Sequence, residues 1–257
     1  MNNTFKVSLF KNFLNRETIV NCELDELVVM IRQGRYAGAL SDYRCYSPLL
    51  SSGKPVSCSR RDVMTADNRI PRLCFSSVYK RRNGKRIVVG RNGLLFVEIA
   101  GLKNFEEAVR IRRVASRQPY TMLAFVGANE LSVIVVCSIS QTDGTVPCDT
   151  EAWRRLMTKG YRLLHYIYSS QLKTEISMQT GTAEAMCLMS ADAGIYYNRE
   201  ALTLIVCEND VYDTFNICRS HDFEADESPL PGKSSSEAYR YIFYCCWNHV
   251  LDSGLNQ

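Results

Sequence analysis

The sequence predicts an α+β fold, because apolar runs with strand character alternate along it with stretches that carry apolar residues at helical spacing. Three stretches carry most of that prediction: Gly93 to Leu102 (GLLFVEIAGL), Leu131 to Ser140 (LSVIVVCSIS) and a helical pattern from about Thr150 to Ser169. With 257 residues and 46% hydrophobic content, the chain can bury a substantial core as one large domain, or as one domain with a small appendage. That content argues against disorder over most of its length.

The first element is a strand near Phe5 to Phe10. A helix from about Glu23 to Gln33 follows, with Leu24, Leu27, Val28 and Ile31 on one face and Gly34 as its stop. Asp42 to Ser59 is rich in Ser, Pro and Gly and reads as a loop. Lys54 to Arg91 then carries eleven Lys or Arg against two Asp, a formal charge of +9 in a chain whose net charge is +4. Within it, Asn83-Gly84 stands between two basic flanks, the strongest short-range signal for a two-residue hairpin turn. Lys80, Arg81, Arg82, Lys85 and Arg86 at such a tip could neutralise phosphates of nucleic acid, and Tyr79 could offer a flat face to a base. A solvated hairpin whose charges blunt a sheet edge fits the same residues.

In the strand around Glu98, side chains two apart share a face. Leu95, Val97 and Ile99 point one way, and Leu94, Phe96, Glu98 and Ala100 the other. Carboxylates at both 98 and 100 would make a pair able to hold divalent cations, but only Glu98 is present. A lone strand carboxylate also fits a role paired with a Lys or Arg, or at a solvated edge. Asn104 is the expected N-cap of a helix through about Ser116, whose Arg110, Arg112, Arg113 and Arg117 make a second basic surface or an ordinary charged helix face.

Leu131 to Ser140 reads as a buried strand and Thr142 to Pro147 as a turn. The helix from Thr150 buries Trp153, Leu156, Tyr161, Leu164 and Ile167, and Ala201 to Glu208 is a further apolar strand. Strand, helix, strand, strand, helix, strand is the split βαβ order of a ferredoxin-like or RRM-like core, here preceded by an N-terminal α/β elaboration.

From Ala201 onward the balance turns acidic, with nine acids and three bases. Residues 1–221 are read as the main domain, 222–236 (DFEADESPLPGKSSS) as a linker, and 237–257 as a final helix opened by the capping-box residues Ser234 and Glu237. No basic region leads into a long apolar run, so neither a leader nor a membrane span is expected, and the expected location is cytoplasmic. The eleven Cys are an odd number, and Cys74, Cys137, Cys187 and Cys207 sit in apolar runs as small hydrophobes, so disulfides are not implied. Cys218-x-x-His221 with Cys245, Cys246 and His249 lacks the tight second pair of a zinc site. His165 reads as a core or interface histidine.

Five segments add a resemblance: VSLFKN from Val7, ELDELVVMIRQGRY from Glu23, PRLCFSSVYKRRNG from Pro71, FVGANELSVIVV from Phe125 and MCLMSADAGIYYN from Met186. In this order, from about Val7 to Ala201, they resemble the VirE N-terminal domain family of bacterial mobile elements, itself similar to the archaeo-eukaryotic primase-polymerase superfamily. The resemblance implies a primase-type core. It also exposes departures. Glu98-Ile99-Ala100 stands where relatives have Asp-x-Asp, Gly127-Ala128-Asn129-Glu130 where they have a Ser- and Gly-rich turn, and Ser177, Thr182 and Ala185 where they place aspartates and an arginine.

Phosphoryl transfer uses cations that stabilise the attacking and leaving oxygens, and a Gly-rich turn cradles phosphate through its amides. With both features depleted, the resemblance implies a primase-like domain without catalysis, needing no cofactor. It would serve as a nucleic-acid-binding or assembly module in mobile-element replication or mobilisation, with single-stranded DNA as the expected ligand and a replication protein as a possible partner. Two other readings stay open. One is a divergent Mg²⁺- or Mn²⁺-dependent nucleotidyltransferase using Glu98; the other is a protein-interaction module whose primase ancestry is architectural only.

Overall fold

The computed structural model describes residues 5–13, 16–51, 69–172 and 184–207, all within the compact unit Met1–Thr214. The linker and final helix expected beyond residue 221, the Cys218 to His249 group, Ser177 and Thr182 lie outside the described residues.

The N-terminal part opens with a hairpin of β1 (Lys6–Phe13) and β2 (Arg16–Glu23), paired from Lys6↔Glu23 to Phe13↔Arg16. α1 (Leu24–Arg32) follows directly. The Glu26 carboxylate accepts the Glu23 amide at 3.2 Å, and Leu24, Leu27, Val28 and Ile31 are its buried face. Gly34 ends it at φ +63°, a left-handed conformation that glycine adopts without a Cβ penalty.

Next comes α2 (Ala37–Ser51), which corrects the loop expected from Asp42. Its Ser- and Pro-rich composition is outweighed by tertiary anchoring, since Leu40 is fully buried and Arg44 donates from Nε to the Ala128 carbonyl at 2.9 Å. β3 (Arg72–Cys74) then adds to β1, and β9 (Cys187–Leu188) adds to β3, giving an antiparallel sheet of order β2-β1-β3-β9. β4 (Ser77–Arg82) and β5 (Lys85–Arg91) pair with each other as a two-stranded ribbon.

The second sheet is built from β6 (Leu94–Ile99), β7 (Thr121–Val126), β8 (Val133–Ser140), β10 (Tyr196–Tyr197) and β11 (Leu204–Ile205). β8 lies between β6 and β7 and is antiparallel to both, so β6 and β7 run parallel, joined by α3 (Phe105–Ala115). This is the split βαβ arrangement read from the sequence. Asn104 caps α3 as expected, its Oδ1 accepting the Glu107 amide at 2.9 Å.

One strand departs from ferredoxin-like order. There the last strand flanks the first; here β11 pairs parallel with β8 (Leu204↔Ile139). After α4 (Thr150–Leu172) the chain first gives β9 to the other sheet and β10 to the edge of β7, and returns to the end of β8 only then. The expected strand Ala201 to Glu208 is correspondingly short, two residues of regular pairing.

The apolar runs of β6 and β8 follow from burial on both faces. Leu95, Val97, Ile99, Val133, Val135, Cys137 and Ile139 face a core shared with α3 and α4, where Trp153, Leu156, Tyr161, Leu164 and Tyr168 pack. Leu94, Phe96, Ile134 and Val136 face a second core, shared with β1, β3, α1 and α2. His165 is half-buried with its ring 6.2 Å from that of Tyr161. Every described cysteine is free, and burial pushes the Cys137 thiol up to about 12, as suits an unreactive core group.

The two cores meet around Asp192. Its Oδ2 accepts the Val126 amide at 2.8 Å at the end of β7, its Oδ1 accepts the Gly194 amide at 2.9 Å, and the Arg112 guanidinium of α3 donates to Oδ1. Its own amide donates to the Ile31 carbonyl at the end of α1 at 3.1 Å. Both side chains of the ion pair are nearly sealed, at 11% and 5% exposure. A Cβ on Gly194 would overlap the Arg112 guanidinium, so a larger residue there would have to displace that group from its pair with Asp192.

Removing one partner of a buried pair leaves an uncompensated charge, so Asp192→Ala should cost about 3–5 kcal/mol in urea unfolding, a large part of a domain's stability of roughly 5–15 kcal/mol. Asp192→Asn, which keeps one of the two acceptor oxygens and the side-chain volume, should cost less. A penalty no larger than that of an exposed substitution would contradict this assignment.

Candidate functional site

The basic ribbon forms where the sequence placed it. Asn83 and Gly84 take φ +49° and +75°, the two successive left-handed residues of a type I′ turn, whose twist matches that of the flanking strands. Lys80, Arg81, Arg82, Lys85 and Arg86 are all exposed. The register sets Arg81 opposite Arg86 and Arg82 opposite Lys85. Like charges directly opposite on a ribbon oppose its formation, a cost that falls on Arg82 and Lys85 beside the turn.

The base of the ribbon is fixed by side-chain hydrogen bonds from neighbouring elements. Ser8 Oγ accepts the Tyr79 amide at 2.8 Å and donates to Asn21 Oδ1 at 2.7 Å, while Asn21 Nδ2 donates to the Tyr79 carbonyl at 3.0 Å. Both backbone groups of Tyr79 are therefore held by side chains of β1 and β2, at the irregularity between Val78 and Tyr79. Where β5 leaves the base, Arg91 donates to the Cys148 carbonyl and, at 2.6 Å, to Thr150 Oγ1, with its guanidinium 5.4 Å from the Trp153 ring. Asn92 Nδ2 donates to the Lys6 and Phe75 carbonyls.

These anchors correct the role expected of Tyr79. Its ring is 6% exposed and packs edge-on against Phe10, centroids 5.3 Å apart, so it offers no face to a base. Burial is the main reason its phenol is pushed up to about 12. Arg86 lies over the other partner of that contact, 5.0 Å from the Phe10 ring centroid.

Glu98 is half-buried on the second-core side of β6, opposite Ile134 on β8. Its charge is felt by Cys187, whose thiol is raised well above its usual value by burial first, then by Glu98 and Cys74. Among the described residues, no three His, Cys, Asp or Glu side chains are grouped to hold a metal ion. Ala185 packs against the second core.

The turn from Gly127 is closed on itself. The Gly127 amide donates to the Ser132 carbonyl, the Glu130 amide to the Gly127 carbonyl and the Leu131 amide to Asn129 Oδ1, so these three donors are already engaged. Glu130 is further tied to Arg44 at 2.8 Å.

Of the second basic surface expected on α3, Arg112 is withdrawn into its pair with Asp192, and Arg110 contacts Glu107 at 3.4 Å. Asp192 itself was not singled out by sequence reasoning. Its signal lay in Asp192-Ala193-Gly194, an acid two residues before a glycine within an otherwise apolar segment.

Residues 65–197, more than half of the chain, match the family described as BT4734-like, N-terminal domain, and the chain belongs to that family. The matched stretch holds the ribbon, the Glu98 strand, the α3 crossover, α4 and Asp192. Among curated proteins and solved structures, none matches the chain. No helix among the described residues is long and apolar enough to cross a membrane.

Ser8→Ala would leave the Tyr79 amide buried without its acceptor, at a cost of about 1–3 kcal/mol. Amide hydrogen exchange should show residues 79–91 opening faster while β8 exchanges as before. Equal exchange in the ribbon would mean that Ser8 does not hold it.

Proposed function

We propose that this chain is a nucleic-acid-binding module on a primase-like scaffold that does not itself join nucleotides, working in the replication or mobilisation of a mobile element. The observation that carries this reading is the ribbon: five exposed cations at the tip of a hairpin whose base is fixed by side-chain hydrogen bonds to both backbone groups of Tyr79. Blunting a sheet edge takes as little as a single lysine. The directly opposed pair Arg82 and Lys85 exceeds that need and works against the hairpin, which an anionic ligand lying across the tip would relieve. A polyanion rewards such a cluster by releasing its condensed counterions.

Kinship with the VirE N-terminal family and the primase-polymerase superfamily belongs to the same proposal. It is supported by the split βαβ core of β6, α3, β7 and β8, and by the position of Glu98 on the strand where the superfamily's acidic pair is expected. The loss of catalysis is supported by Ala100 in place of a second carboxylate and by the self-bonded turn at Gly127. In this reading Glu98 remains as a remnant, and replication proteins are candidate partners.

Binding of labelled DNA to the full chain, followed by fluorescence anisotropy across a salt series, tests the ribbon. Arg81→Glu with Arg82→Glu should weaken binding and flatten the plot of log affinity against log salt by roughly 0.7–0.9 for each phosphate no longer neutralised. Unchanged affinity and slope would remove the ribbon from the function. Primer extension with Mn²⁺ or Mg²⁺ tests the silent site: no extension is expected from the unaltered chain, and extension that Glu98→Gln abolishes would establish a metal-dependent nucleotidyltransferase instead.

A further inference from the structure

We infer that the ribbon takes the major groove of a B-form DNA duplex, in preference to a single strand. This rests on the nucleic-acid reading above and narrows its ligand.

Three observations converge on it. The first concerns which faces carry charge. Residues directly opposite on a ribbon share a face, and so do residues two apart. Arg81 therefore lies on the face of Tyr79, together with Arg86, which sits over the Phe10 ring, whereas Lys80, Arg82 and Lys85 lie on the other face with Ile87. A single strand laid along the ribbon meets one face. A duplex groove has a phosphate backbone on each side, and a ribbon inserted between them meets phosphates with both faces.

The second is that the ribbon itself carries no stacking platform. Single-strand binders hold successive bases on aromatic rings. Tyr79 is buried against Phe10, and Lys80 to Arg86 contains no aromatic residue. Among the described residues, the broadly exposed aromatic is Phe105, on α3 rather than on the ribbon.

The third is shape. Among the described strands, β4 and β5 pair only with each other, so neither edge of the projecting part is taken up by a sheet. Beyond Tyr79 the ribbon runs about four residues, roughly 10–13 Å at a strand's rise per residue. The B-form major groove is about 12 Å wide and 8.5 Å deep and admits a two-stranded ribbon. An A-form RNA duplex has a deep, narrow major groove that excludes it.

The experiment is competition, by fluorescence anisotropy of the full chain at one fixed salt concentration. The competitors are a mixed-sequence DNA duplex, each of its single strands, and an RNA duplex of the same sequence. The DNA duplex should compete about tenfold better than the single strands or the RNA. Methyl green, which occupies the major groove, should displace the protein. Lys80→Glu and Arg81→Glu, on opposite faces, should weaken duplex binding to a similar degree, with unchanged thermal melts showing that both variants fold. Preference for a single strand or for the RNA duplex would overturn the inference and leave the nucleic-acid reading standing. So would sensitivity to only one of the two substitutions, or indifference to methyl green. Failure of every nucleic acid to bind at low salt would remove both.

Discussion

The Asp192 carboxylate gathers the end of β7, the Gly194 turn and the α3 arginine, while the Asp192 amide fastens the end of α1. These interactions link residues far apart in the chain and span both cores. The apolar cores supply the bulk of the stabilisation but are non-directional, so they do not by themselves dictate how one layer is set against the next. A buried charge with directed partners does, because misplacement leaves it unsatisfied at a cost of several kcal/mol. Ser190 reinforces the same junction, its hydroxyl donating to the Val126 carbonyl at 2.6 Å.

The ribbon depends on that framework at one remove. Its base is set by Ser8 and Asn21 from the first sheet and by Arg91 and Asn92, which reach β1, the segment before α4 and the first turn of α4. A hairpin with opposed like charges would fray if left to its own strands. Here anchoring groups outside the ribbon compensate. The charges are displayed on a support that does not depend on them.

Local chemistry made part of this legible in the sequence. Asn83-Gly84 specifies its turn through two left-handed residues, Asn104 specifies a cap, and the unbroken apolar runs of β6 and β8 specify strands covered on both faces. The misses share a cause, namely partners distant in the chain. α2 is helical because Leu40 and Arg44 are gripped by residues elsewhere, against its composition. Tyr79 suits a stacking face or a core equally well until Phe10 decides. Arg112 reads as surface charge until Asp192, eighty residues on, withdraws it. The seat of β11 beside β8 depends on two short strands, β9 and β10, too brief for any periodicity to announce.

In the proposed function the ribbon, and not the strand of Glu98, is where this chain meets nucleic acid. Hydrogen exchange of the full chain, compared with and without a saturating DNA duplex, tests it most directly. Protection gained on binding should concentrate at residues 80–87 and leave the amides around Glu98 unchanged. Protection centred on Glu98 and its neighbours, with the ribbon exchanging as in the free protein, would contradict it.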